Sequence, residues 1–208
     1  MLVAIFVVPV AVGLIGFLLP ARVAGWWATL GALASLVLAI VLVAGFDPAG
    51  GNLQDVVDQS WIPQLGVRFQ LGVDGISIFL VLLTALLWAA ATLWSALQVP
   101  DRPRNYFFML GLCETATLGC FLAQDLLLFV LCFDLMLVPL YFLIGAWGTG
   151  DRVRATIKMI VYTLVGSLLM LVGAIATAVL SADAAGGVTF SIETLRQAPL
   201  ADGTQYWI

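Results

Sequence analysis

Two carboxylates, Glu114 and Asp134, stand inside otherwise apolar stretches of membrane length in the run NYFFMLGLCETATLGCFLAQDLLLFVLCFDLMLVPLYFLIGAWG, residues 105–148. A charge held at the centre of a bilayer costs roughly 2.5 to 3.5 kcal/mol on insertion scales, so acids placed there mark ion pathways or proton relays. Burial disfavours the charged form of a carboxyl, and such a group can load and unload a proton unless a cation or a hydrogen-bond donor compensates. Glu114 lies ten residues before Gln124 and Asp134 ten after it, with Gln124 and Asp125 the polar break between two apolar spans. An antiparallel hairpin then sets the two acids at one depth, about 15 Å from the turn and close to the midplane of a ~30 Å core. The plainer alternative is that both acids only hydrogen-bond neighbouring helices.

Other residues frame this pair. Pro139 lies five positions beyond Asp134 and frees the carbonyl of Leu135, a local distortion that admits water or, on the plainer view, only bends the helix. Lys158 sits a few residues inside the sixth span, where its ammonium either snorkels back to the interface or turns inward toward an acid. Asp74, in LGVDGIS, and Asp125 each open a span and read as helix caps that accept backbone N–H bonds. The cysteines Cys113, Cys120 and Cys132 fall within apolar spans without a CxxC pair, and His is absent, so zinc, haem and iron–sulfur ligation is not supported. No redox cofactor is expected in this chain. The GTGDRVR loop is a plain turn, too short for a phosphate-binding glycine motif.

The elements that must position these residues are transmembrane helices. Of 208 residues, 63% are hydrophobic and 10% charged, with mean hydropathy +1.13, which is the composition of a polytopic membrane protein. Its partners therefore include the lipid bilayer. The net charge of −4 is spread over short loops with no basic patch, which excludes nucleic-acid binding.

Apolar runs long enough to cross the bilayer fall near residues 2–19, 26–45, 74–97, 105–123, 125–147 and 155–181. They predict an all-α bundle of about six helices forming a transmembrane domain over 1–181, followed by a polar tail over 182–208. The first run is too long and wrongly flanked for a cleaved signal sequence. Arg22, Arg102, Arg104, Arg152 and Arg154 follow spans one, three and five. The positive-inside rule then sets those loops in the cytoplasm and the amino terminus outside. The loop 46–73 predicts a short hairpin on the outer face, because Val67, Phe69, Leu71 and Val73 alternate at period two. Tyr206, Trp207 and Ile208 read as an interfacial anchor where a seventh span would begin.

LGVDGIS, then FLAQDLLLFVLCFDLMLVPLYFLIGAWG, then RATIKMIVYTLVGSLLML, in this order, resemble the NuoM-type antiporter-like subunits of proton-pumping NADH:quinone oxidoreductase, complex I. The tail GGVTFSIETLRQAPLADGTQYWI is similar to that family's connection into its seventh helix. The resemblance implies the amino-terminal part of a fold of about fourteen helices with inverted repeats. In the family the fifth helix carries a buried glutamate in a WE-x-M-L-x-P pattern; here Phe133 and Asp134 precede LMLVP, so the carboxylate is one methylene shorter. The resemblance also matches Glu114 and Lys158 to polar positions of the fourth and sixth helices.

The same resemblance implies a proton-translocating subunit, without redox chemistry of its own. Its partners would be adjacent antiporter-like and other membrane subunits of complex I, its substrate protons, and its location a bacterial inner (cell) membrane. A subunit of a multisubunit cation/proton antiporter or of a membrane-bound hydrogenase is a second reading, and a structural membrane piece without pumping a third.

Overall fold

The structure, a computed structural model, describes residues 1–47, 53–98 and 101–197. Six long helices follow one another: α1 (Leu2–Leu18), α2 (Ala21–Ala44), α3 (Ser77–Gln98), α4 (Pro103–Leu122), α5 (Leu126–Trp147) and α6 (Arg152–Leu180). A two-stranded hairpin, β1 (Gln54–Ile62) and β2 (Val67–Val73), is inserted between α2 and α3, and two short helices, α7 (Ala182–Ala185) and α8 (Ile192–Gln197), close the described part. The expected all-α membrane bundle with a small hairpin is therefore observed. Five of these helices, α2 to α6, are long and apolar enough to cross a membrane, and α1 has 17 residues. The anchor expected at Tyr206, Trp207 and Ile208 lies outside the described residues.

Helix ends differ from the apolar runs where the chemistry of the ends differs from hydropathy. Pro20 cuts α1 short: Leu19 before it is extended, at φ −77° and ψ 160°, because the ring disfavours helical conformation in the preceding residue. The same proline then serves as N-cap of α2, which opens at Ala21 and takes Arg22 into its first turn. Arg152 and Arg154 likewise belong to α6, since a helix is defined by its backbone bonds and extends past the bilayer into polar sequence.

Helix α4 is the central post. It packs against α1, α2, α3 and α5, whereas α6 makes its long contact with α5 alone. One apolar core lies at the hairpin end, built from Leu2, Ile5, Leu42, Val81, Leu118 and Leu122 among others, and a smaller one, Ala24, Ala28, Ala96, Phe107 and Leu110, lies toward the other end. Close packing of α1 on α4 depends on Gly111, where an added Cβ would stand 2.7 Å from the carbonyl oxygen of Pro9.

The hairpin is antiparallel, with Asp58 opposite Gln70 and Ser60 opposite Arg68. Its turn needs Gly66, which adopts φ +68° beside the carbonyl of Val188, a backbone region that costs side-chain-bearing residues energy. Val67, Leu71 and Val73 are buried, and Phe69 meets Phe6 of α1 edge-on at 6.2 Å. The period-two alternation thus fastens the sheet to the bundle. Arg68 and Asp58 form an exposed ion pair at 2.7 Å, which contributes at most about 1 kcal/mol.

Candidate functional site

Asp125 shows how the chain builds the junction at which the helix of Glu114 ends and the helix of Asp134 begins. Its side chain is fully enclosed. Oδ1 accepts the N–H groups of Leu127 at 2.9 Å and Leu128 at 3.1 Å, and Oδ2 accepts the N–H of Arg68 at 3.1 Å. Leu126 N donates to Phe190 O at 2.8 Å, and Ile192 N to Gln124 O at 3.0 Å. The start of α5 and the hairpin therefore meet on one carboxylate, and the segment before α8 pairs with the backbone on either side of it. Asp74 does a simpler version of the task on the exposed side. Its Oδ1 accepts from Ile76 N at 3.0 Å and Ser77 N at 2.7 Å, while Asp74 N donates to Ser77 Oγ at 2.9 Å. This reciprocal cap, led by the bond from Ser77 N, holds the Asp74 carboxyl below the ordinary carboxylate range.

Above this junction α4 and α5 run antiparallel. Thr117 Oγ1 lies 3.4 Å from Met136 Sδ, and Cys132 Sγ lies over Gly119. Asp134, midway between Cys132 and Met136, is thus level with about residue 118, one helical turn or about 6 Å from Glu114 along the axis. The equal depth expected from the spacing is corrected by that turn, because the connection between the helices is not symmetric about Gln124.

Direction separates the acids further. Two residues from both Cys132 and Met136, Asp134 points away from α4 by about 160 to 200° of helix rotation. Gly145, eleven residues on and so on nearly the same face, is where α5 meets Thr156 of α6. Carrying that register along both helices brings Ser167, buried on α6, level with Asp134. The Asp134 side chain is half-buried, and its Oδ1 is enclosed with no hydrogen-bond partner among the described residues. Pro139 is buried within α5, which remains helical on both sides of it.

Glu114 faces the opposite way, into the cluster of α1, α2 and α3. It is 3% exposed, Oε1 has no hydrogen-bond partner among the described residues, and the Ser35 hydroxyl is its polar neighbour. It lines a small cavity with Pro9, Gly31, Ala32, Thr92 and Gly111. Ser35, Thr92 and the small residues around them carry no signal in the sequence beyond their size. Lys158 is exposed, and its position two residues from Thr156 turns it away from α5; it forms no ion pair among the described residues. The structure therefore holds Asp134, Glu114 and Lys158 in three separate surroundings.

The sequence and fold of other proteins account for this architecture. The transmembrane family described as NADH:quinone oxidoreductase/Mrp antiporter matches residues 123–202. NADH-quinone oxidoreductase subunit M of Rhodobacter capsulatus is 41% identical over 155 residues, 74% of this chain and 30% of that protein. In sequence and fold this chain resembles the antiporter-like family. NAD(P)H-quinone oxidoreductase chain 4 2 of Thermosynechococcus vestitus is 38% identical over 183 residues, 88% of this chain and 33% of that protein. The chain thus spans about a third of the length of these curated relatives. A chain of respiratory complex I from Thermus thermophilus superposes over the whole of this chain and 41% of its own length, at TM-score 0.83 and 30% identity. A chain of the Mrp complex from a Dietzia species shares the fold, at TM-score 0.74 and 20% identity over 93% of this chain and 20% of its own.

Proposed function

We propose that this antiporter-like chain serves proton translocation in a respiratory NADH:quinone oxidoreductase, with Asp134 as the group that takes up and releases the proton. The observation that carries this reading is an enclosed, unpartnered carboxylate oxygen on a membrane-crossing helix. An unpaired polar atom there costs about 1 to 3 kcal/mol, a cost that a protonation site can recover when a proton or water arrives. The register that brings Ser167 level with Asp134 supports the reading, because a hydroxyl both donates and accepts. Glu114 and Lys158 are secondary candidates, and Lys158 would act only by meeting an acid outside the described residues.

The proposal gives this chain no redox step: it has no His and no paired cysteines, so electron transfer falls to other subunits of the assembly. Its partners would be neighbouring membrane subunits, and its location a bacterial inner membrane. The basic residues support an orientation. Arg22, Arg102, Arg104, Arg152, Arg154 and Lys158 gather at the end of the bundle opposite the hairpin, which would be the cytoplasmic end.

Asp134→Asn in the intact assembly tests the reading by proton uptake into sealed vesicles driven by NADH. Expected is a loss of pumping of about a hundredfold or more, the lower edge of what a positioned proton-transfer group contributes. Unchanged pumping would overturn it. Asp134→Glu, which lengthens the arm by one methylene, should keep pumping. The shared fold with the Mrp chain favours a second reading, a cation/proton antiporter, which predicts transport that depends on sodium.

A further inference from the structure

Among the described residues, Glu114 is the one ionisable group at its cavity, whose walls include Pro9, Gly31, Ala32, Thr92 and Gly111. No cation stands among those neighbours, and an uncompensated charge in apolar surroundings is driven to its neutral form. The cavity has about 10 Å³ of free space, close to the least that holds one water. Two polar residues line it: Glu114, whose Oε1 has no partner among the described residues, and Thr92, whose hydroxyl donates to the Trp88 carbonyl; behind Glu114 stands the Ser35 hydroxyl, which donates to Gly31 O at 3.2 Å. Both hydroxyls have spent their proton on a backbone carbonyl and keep lone pairs free to accept. A water in the cavity finds acceptors in the Thr92 hydroxyl and the Glu114 carbonyl oxygen, and a neutral Glu114 finds an acceptor for its own proton in that water or in Ser35.

We propose that Glu114 with this cavity is a protonation site separate from the Asp134 site, a neutral carboxyl holding one buried water on the α1–α3 side of α4. It rests on the membrane reading and goes beyond the assignment of Asp134, since α4 stands between the two acids. The site explains why a carboxylate is present in the most enclosed helix of the bundle, and why small residues from α1, α2 and α4 leave room in front of it.

The test is the infrared difference spectrum, wild type minus Glu114→Gln, of the full protein in its native assembly, recorded in H₂O and in D₂O. Expected is a carbonyl stretch of a protonated carboxylic acid in that difference, shifted in D₂O because the buried water relays exchange, and still present when both proteins carry Asp134→Asn. A carboxylate pair of bands in its place would overturn the neutral site, and a band that never shifts in D₂O would overturn the water. Loss of the band in the Asp134→Asn background would overturn the separateness. Glu114→Asp guards against a failure of the glutamine variant to assemble: it should keep the acid band at a changed frequency. The pumping result for Asp134→Asn is read independently, so either proposal can fail without the other.

Discussion

Single carboxylates in this chain differ in what they hold, and substitutions should sort them. Asp74 caps α3 from an exposed position, so Asp74→Ala should cost about 1 kcal/mol, measurable as lowered thermal stability in detergent. The folded carboxyl lies below its ordinary value. Its contribution is therefore full above about pH 4 and is lost as pH falls through the folded value; the wild type and Asp74→Ala should converge there. Asp125 is a different case, because three backbone N–H groups of two elements depend on it. Asp125→Ala should cost about 2 kcal/mol or more, whereas Asp125→Asn, which keeps one acceptor oxygen for Leu127 and Leu128 but sets its NH2 group against the Arg68 N–H, should recover only the helix-capping part of that loss. Equal losses in the two variants would show that the bond to the hairpin, and not the helix cap, is what the junction needs. Both residues are legible as caps in the sequence because a short acid before an apolar run has a local task. What Asp125 does for the hairpin, fifty-seven positions away, has no local trace.

At the scale of helices, hydropathy reveals that a segment crosses the membrane and roughly how deep each residue lies, and it is silent on direction. A helix apolar on all sides shows no stripe to indicate its partners. Glu114 and Asp134 are therefore legible as acids near one depth, and the turn of offset and the opposed facing are not. Lys158 is similar: its level near the basic loop is in the sequence, and its rotation away from α5 emerges only from Thr156 meeting Gly145. Glycines do carry a usable signal, since Gly111 marks where α4 touches the backbone of α1. Gly111→Val should push these helices apart and destabilise by about 1 to 3 kcal/mol. Because Gly111 lines the cavity in front of Glu114, the added side chain should also take up the room for the water, which a slower exchange of the acid band in D₂O would reveal.

The whole molecule is a bundle with two unlike ends, one capped by the hairpin and the other rimmed by arginines. Ser60, exposed on β1, and Asp151, exposed in the loop before α6, report on these ends. In sealed right-side-out vesicles, Ser60→Cys should react with a membrane-impermeant thiol reagent, and Asp151→Cys should react only after the vesicles are opened. The reverse pattern would invert the proposed orientation. The composition and order of motifs make this architecture readable, because lipid permits few solutions for a chain so apolar. The surroundings of α6 are less so: Val161, Tyr162, Leu169 and Val172 are all open along its length, and α5 covers only one of its sides.

The Asp125 junction has a consequence for how the protein breathes. Arg68, Leu127 and Leu128 give their amide hydrogens to one carboxylate, so none is released unless that carboxylate lets go or its helix frays. Deuterium should then enter these amides together, at one opening rate, although they belong to a sheet and a helix far apart in the chain. The hairpin would act as a latch on the first turn of α5: lifting it would loosen the root of the helix that carries Asp134, and a partner pressing on it would keep that root shut.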